Sequence, residues 1–313
     1  MDIESTFLHG DALNVAQAEA VAQRVKALPF QNAAKTFAES IKQINHLLAL
    51  PFYLVIHFQR RHEETIASFD VLLGDINNTL EIAKGGGDRK RVDDLLRARL
   101  EQFSTDELIR RGQADYRQIL EHMSSIRSGV FDLQRSAVVW AWTAFEVFVT
   151  DVWVATVNTV PHFAWKGISK QSDQQQSSKM ISIHLLAKYR FDLRHRLGSA
   201  LRQRFRFKNV DAICDAYATA FPKMGIENVF QSSSLLFLEA TRHVIVHQAG
   251  RADDEYRRRT HSSVPEGELV PLTLADIRTW VNTTIAVADQ LLAILTVSLE
   301  EHASNHATPQ SVV

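Results

Sequence analysis

"VVWAWTAFEVFVTDVWVATVNTV", residues 138–160, decides how this chain folds. Wound at 3.6 residues per turn, it is apolar on nearly every side. Such a helix is surrounded either by protein or by lipid. Glu146 and Asp151 choose between the two, because each acid near a bilayer centre costs about 2.5–3.5 kcal/mol. The stretch is expected to be a buried core helix, with no membrane crossing.

The surroundings read helical as well. Only 12 Gly and 7 Pro punctuate 313 residues. Long runs rich in Ala, Leu, Gln, Glu and Arg favour helix, and no alternating strand pattern of useful length occurs. The expected fold is an all-α helical bundle. With 45% hydrophobic residues, the chain can build a substantial core. A net charge of −1 excludes a global basic field, so a polyanion partner must be held by a local patch. The single cysteine, Cys214, excludes an intrachain disulfide and suits a reducing compartment. The start, "MDIESTFLHGDALN", lacks the basic and apolar runs of a signal peptide. A cytoplasmic location is expected.

Moving outward, residues 11–28 read as an amphipathic helix ended by Pro29, and 32–83 as a nearly continuous helix with a break or kink at Pro51. "KGGGDRKR" (84–91) is a helix–helix link, since it lacks the Gly-Lys-Ser/Thr end of a nucleotide loop. "STDE" (104–107) has capping-box spacing and opens a long helical region broken near Ser128-Gly129. The polar run 166–179 reads as a mobile surface loop, and a basic helix is expected across 188–208. A helix over 209–221 follows. The next, over about 232–248, is capped by a serine of "QSSS" and stopped by Gly250. A charged loop (251–272) leads to a last helix, with Thr273 and Asp276 at capping spacing. Its apolar face runs from Ile277 to Leu295. By these breaks the chain divides into an N-terminal helical region (1–104), a helical domain (105–303) and a frayed tail (304–313).

The helix before Gly250 carries unusual chemistry: Arg242, His243 and His247 in the apolar setting "SLLFLEATRHVIVHQAG". Buried cations are costly unless something pairs with them. Arg-x4-His occurs three times, at Arg117/His122, Arg190/His195 and Arg242/His247, so spacing alone is a weak signal. The first two lie in polar or basic surroundings where a solvated face suffices. Three readings apply to the third. In the structural one, Arg242 pairs with a buried acid. In the metal one, Glu239, His243 and His247 share a face at i, i+4 and i+8; three ligands along a straight helix converge poorly, no other Cys/His cluster completes them, and no metal is expected. In the catalytic one, Arg242 and His247 act as acid–base and charge-stabilising groups. They sit about 140° apart on a regular helix, so a kinked or ended helix, or a second copy, must bring them together.

"RHVIVHQAGRADDEYRRR" (242–259) resembles the signature of HEPN domains, helical domains many of which are ribonucleases. Arg242, His243, His247 and Gly250 fall in the order of that signature, and "DDEY" fits its downstream run. The helix around Phe145-Glu146, the helix–loop–helix of 210–247 and "PLTLADIRTWV" are similar to other parts of the domain. The resemblance covers about 105–300 and leaves 1–104 unmatched. It implies a HEPN-like bundle with an additional N-terminal helical region. It further implies a metal-independent endoribonuclease, needing no cofactor, whose site forms at a homodimer interface.

That chemistry is coherent from the residues upward. RNA carries its own nucleophile, the 2′-OH, and imidazole can take and give protons near neutral pH, typically worth about 10²–10⁴ in rate. Guanidinium presents a fixed fork to phosphate. On the resemblance, His247 is the base or acid, Arg242 the phosphate binder and His243 a supporting group. Glu146 is the acid expected to orient Arg242. Arg190, Arg194, Tyr256 and Arg257 are expected to hold RNA. By analogy the role is that of a toxin or antiviral-defence effector with a regulatory or antitoxin partner. The alternatives are a catalytically silent HEPN domain that binds nucleotide, RNA or protein, and a helical interaction protein working through residues 1–104.

Overall fold

The computed structural model describes residues 12–74, 76–84, 88–101, 104–162, 183–222 and 224–307. Among them are twelve α-helices and no strand. They are α1 (Val15–Arg24), α2 (Leu28–Gly74), α3 (Ile76–Ala83), α4 (Arg89–Leu100), α5 (Thr105–His122), α6 (Ser124–Thr159), α7 (Ile183–Lys188), α8 (Leu197–Leu201), α9 (Val210–Ala220), α10 (Ser233–His247), α11 (Asp254–Thr260) and α12 (Leu274–Ala307). The fold is all-α, as the composition requires.

Two compact units divide the described residues: those within 48–133, and those within 12–47 together with 134–307. The division does not coincide with the boundary expected at 104, because α2 and α6 each contribute to both units. In the first unit, α2 packs on α5. Val55 touches Gly112, and the buried Glu63 accepts from Arg111 at 2.9 Å.

The second unit holds the large core, built around α6. Trp142, Phe145, Phe148 and Trp153 are all no more than 2% exposed. Each such burial contributes about 1.5–3 kcal/mol. Phe148 packs on Phe37 of α2, and Trp153 on Phe205 and Phe207. Two buried polar tips are satisfied by backbone: Trp153 Nε1 donates to Ala216 O (3.1 Å) and Tyr217 Oη to Val149 O (2.6 Å). α8 approaches α6 closely at Gly198, whose N–H donates to Asn158 Oδ1 at 2.8 Å; a Cβ there would lie 2.4 Å from Val154 O. The expected apolar face of α12, Ile277 to Leu295, is buried throughout. α6 and α12 are each long and apolar enough to cross a membrane, and 56% and 44% of their most apolar stretches are buried in the protein.

The caps explain several helix boundaries. Ser104 Oγ accepts from Glu107 N at 3.1 Å, and Thr273 Oγ1 from Asp276 N at 3.1 Å while Asp276 Oδ2 accepts from Thr273 N. Other expectations need correction. Pro29 does not end a helix; it stands in the first turn of α2, where its missing N–H has no partner to lose. α2 is not broken at Pro51, which lies inside the helix. Ser128-Gly129 does not break α6, because one glycine costs only about 1 kcal/mol against the packing on either side. The segment 251–272 is not all loop: α11 lies within it, with Asp253 Oδ1 accepting from Tyr256 N at 2.7 Å. Ser232 holds the N-cap position of α10 without a side-chain cap bond. α12 stays helical through Ala307, beyond the expected fraying point, and 308–313 lie outside the described residues. So do 85–87 of the glycine link and the polar run 166–179.

The largest correction concerns the basic segment. No helix spans 188–208. α7 stops at Lys188, Arg190 and Phe191 take left-handed φ values of 53° and 60°, and Asp192 Oδ1 accepts from Arg194 N at 3.1 Å to close a turn. Helix resumes only at Leu197. Charge frequency gave no warning, because the turn is made by an aspartate side chain and by non-glycine residues in an uncommon backbone region.

Candidate active site

Arg242, His243 and His247 lie in the last turns of α10. That helix forms because Leu235, Leu238, Ala240 and Val244 give it a buried face. It stops where Ala249 (φ 52°) and Gly250 (φ 80°) turn left-handed, and Gly250 N closes back on Val244 O at 2.9 Å. The Arg135 guanidinium lies against Gly250, 3.4 Å from where a Cβ would stand. α11 then folds back across α10, anchored by a small core of Ala240, Val244, Ala252, Tyr256 and Val270. Backbone bonds from Ala252 N to Glu268 O and from Val270 N to Gly250 O clip the connecting segment in place.

Between α10, α11 and the start of α9 lies a cleft of about 340 Å³. Arg242, His243 and His247 all border it, together with Lys208, Asn209, Glu239, Glu255, Tyr256 and Arg259. Arg242 and His247 thus border one cleft within a single chain despite the 140° between them on the helix. Both imidazoles are exposed, with ring centroids 4.7 Å apart. Arg242 is half-buried and, among the described residues, forms no ion pair within 4.0 Å and leaves its buried Nε without a hydrogen-bond partner.

Glu239 is not free to ligate a metal with the histidines. It is 5% exposed, and its carboxylate is held from two directions. Arg259 donates to Oε1 and, at 3.0 Å, to Oε2, while Oε2 also accepts from Val210 N at 2.9 Å. One buried acid thus ties the first turn of α9 and the arginine of α11 to α10. Asn209 completes that end by accepting from Ala212 N. Among the described residues no group of three or more His, Cys, Asp or Glu is placed to hold a metal ion.

Glu146 stands half-buried behind the cleft. Burial pushes its carboxyl above the usual range, opposed first by the charge of Arg242 and then by Lys208 and Arg202. It is within electrostatic reach of Arg242 without a direct pair. Asp151, one turn further along α6, is raised by burial and opposed by Arg202.

The four expected RNA contacts separate. Tyr256 borders the cleft, but its ring belongs to the small core and burial raises its phenol. Arg257 is half-buried and not on the cleft wall, with its Nε buried and unbonded. Arg190 and Arg194 are exposed on the turn away from the cleft lining, and Arg194 pairs with Asp192 at 3.1 Å. Lys208 and Arg259, which were not among the expected residues, line the cleft. Glu239 supplied the missed signal: an acid in an apolar helix demands a cation, and Arg259 lies twenty residues on. No protein-family model, curated protein or solved structure matches the chain.

Proposed function

We propose that the chain is a metal-independent endoribonuclease of HEPN type that works as a cytoplasmic homodimer. The observation that carries this reading is the shared cleft of Arg242, His243 and His247, flanked by Lys208 and Arg259. Three strong cations face two carboxylates there, and Arg259 is already held by Glu239, which leaves Arg242 and Lys208 for a phosphate.

In the reaction, one His247 takes the proton of the 2′-OH as its oxygen attacks the adjacent phosphorus. Arg242 stabilises the charge on the non-bridging oxygens. The P–O5′ bond breaks, and the leaving oxygen receives a proton from the second His247, supplied by the partner. The products are a 2′,3′-cyclic phosphate and a 5′-hydroxyl. His243 supports its neighbour through the ring contact at 4.7 Å. Exposed Trp140 and Val147 on α6 and Val246 on α10, the helices that carry Glu146 and Arg242, supply apolar surface for the two-fold contact. A toxin or antiviral setting, with a regulatory partner, follows by analogy of fold type alone.

The test is incubation with RNA in EDTA. Wild type is expected to leave cyclic phosphate ends, and His247→Ala to cut at least about 100-fold more slowly. Because His247 is exposed, the variant keeps its helical spectrum. A 2′-deoxy substitution at the scissile position blocks cutting. Wild-type protein that leaves every RNA intact would sink the reading in favour of a silent binding domain.

A further inference from the structure

Between Asp192 and Asp211 the chain carries six strong cations and no acid, in a protein whose net charge is −1. The last three, Arg204, Arg206 and Lys208, alternate with Phe205 and Phe207 in the segment that joins α8 to α9. Packing fixes that alternation. Phe205 and Phe207 both lie against the Trp153 ring of α6, with centroids 4.8 Å and 5.8 Å from it. The backbone is extended at Phe205 (ψ 136°), where a short 3₁₀ turn ends, and again at Asn209 (φ −146°). Two side chains two residues apart on one ring leave the residue between them facing the other way. Arg206 is therefore held outward, and Arg204, Arg206 and Lys208 are all exposed.

The strip ends at the cleft, because Lys208 is part of its lining. Arg206 stands about 6–7 Å further out along an extended chain, with Arg204 beyond it. That interval is close to the one between successive phosphates of an unstacked strand. Among the described residues Arg206 and Lys208 form no ion pair within 4.0 Å. Arg202, further back, faces Asp151 and Glu146, and Glu146 also opposes Lys208. The rings between the cations are turned toward Trp153, so the segment offers a membrane no apolar edge to insert. We infer that Arg204, Arg206 and Lys208 are a phosphate track that leads a single strand of RNA into the cleft. The track takes its substrate from the ribonuclease reading and adds the surface that holds the strand beyond the scissile linkage. Its contacts are to phosphate, so they carry no sequence preference and hold a deoxy strand as well.

Fluorescence anisotropy of the full chain with a 2′-deoxy decanucleotide, which cannot be cut, tests it across a salt series. Arg204→Gln/Arg206→Gln is expected to bind roughly 20-fold more weakly than wild type at about 0.1 M salt, with the slope of log K on log salt reduced by about 1.4. Arg204→Lys/Arg206→Lys keeps the charge and most of the slope. Both side chains are exposed, so the helical spectrum is unchanged. In EDTA the glutamine variant cuts a long RNA more slowly at low substrate, and a dinucleotide, which reaches only the cleft, at the wild-type rate. An unchanged salt slope in that variant, or an equal loss on the dinucleotide, overturns the track. A wild type that cuts nothing sinks the ribonuclease reading alone, since the slope with the uncut strand still decides the track. A wild type that ignores the strand and binds phosphatidylserine vesicles overturns it in favour of a lipid surface.

Discussion

Two long helices carry comparable aromatic content and meet opposite fates. In α6, Trp142, Phe145, Phe148 and Trp153 are enclosed by α9, the first part of α2 and the Phe205–Phe207 segment. In α2 from Leu48 onward, Phe58 and Phe69 point outward and only one face is packed. Hydrophobicity along the chain separates them in part, since α6 is apolar on nearly every side and α2 carries charges at 60–64; the number of elements that close around each completes the difference. Where several elements converge, apolar residues become core. Where one element covers one side, the remainder stays exposed.

Substitutions sharpen that contrast. Trp153→Ala is expected to cost the most, about 3–5 kcal/mol, because a fully enclosed ring leaves a cavity its neighbours cannot fill. Urea unfolding measures it, and a loss below about 1 kcal/mol would mean that α6 is not the centre of the core. Glu239→Ala comes next, at about 3 kcal/mol. That is the lower end for a buried pair, since Arg259 borders an open cleft. By contrast Glu107→Gln, at a half-buried position whose partner Arg110 is exposed, shifts the unfolding midpoint little.

Glu146→Gln tests the groups behind the cleft. Burial holds the Glu146 carboxyl above its ordinary 4.5, so between that value and the raised one the folded state binds the extra proton. Wild-type stability therefore falls as pH rises through this window. The glutamine variant escapes the loss: it is expected to be the more stable protein at about pH 7, with the advantage gone by about pH 4. If Glu146 also orients Arg242, the same variant cuts RNA more slowly while unfolding later, a split that a purely structural role does not produce. Phe58→Ala has a small effect. At protein concentrations dilute enough to keep chains apart, it is expected to change unfolding by less than about 0.5 kcal/mol.

Much of this was legible in the residues. Ser104 with Glu107, Thr273 with Asp276, and Gly250 mark helix boundaries through local chemistry, and the structure places bonds at each. The apolar face of α12 followed from period alone. What escaped was of two kinds. Turns made by side chains or unusual backbone, such as 190–194, look like helix to any count of charges. Tertiary partners are invisible to spacing: Lys208 and Arg259 reach the Arg242 cleft from thirty-odd residues before it and seventeen after. Glu239 was legible as an oddity but not as a partner of Arg259.

That one carboxylate gives the cleft a mechanical linkage. Any anion strong enough to draw Arg259 inward competes with the group that also stoppers the first amide of α9. Drawing Arg259 away would leave the buried Glu239 carboxylate to the Val210 amide alone, so the cleft and the start of α9 are coupled through a single side chain.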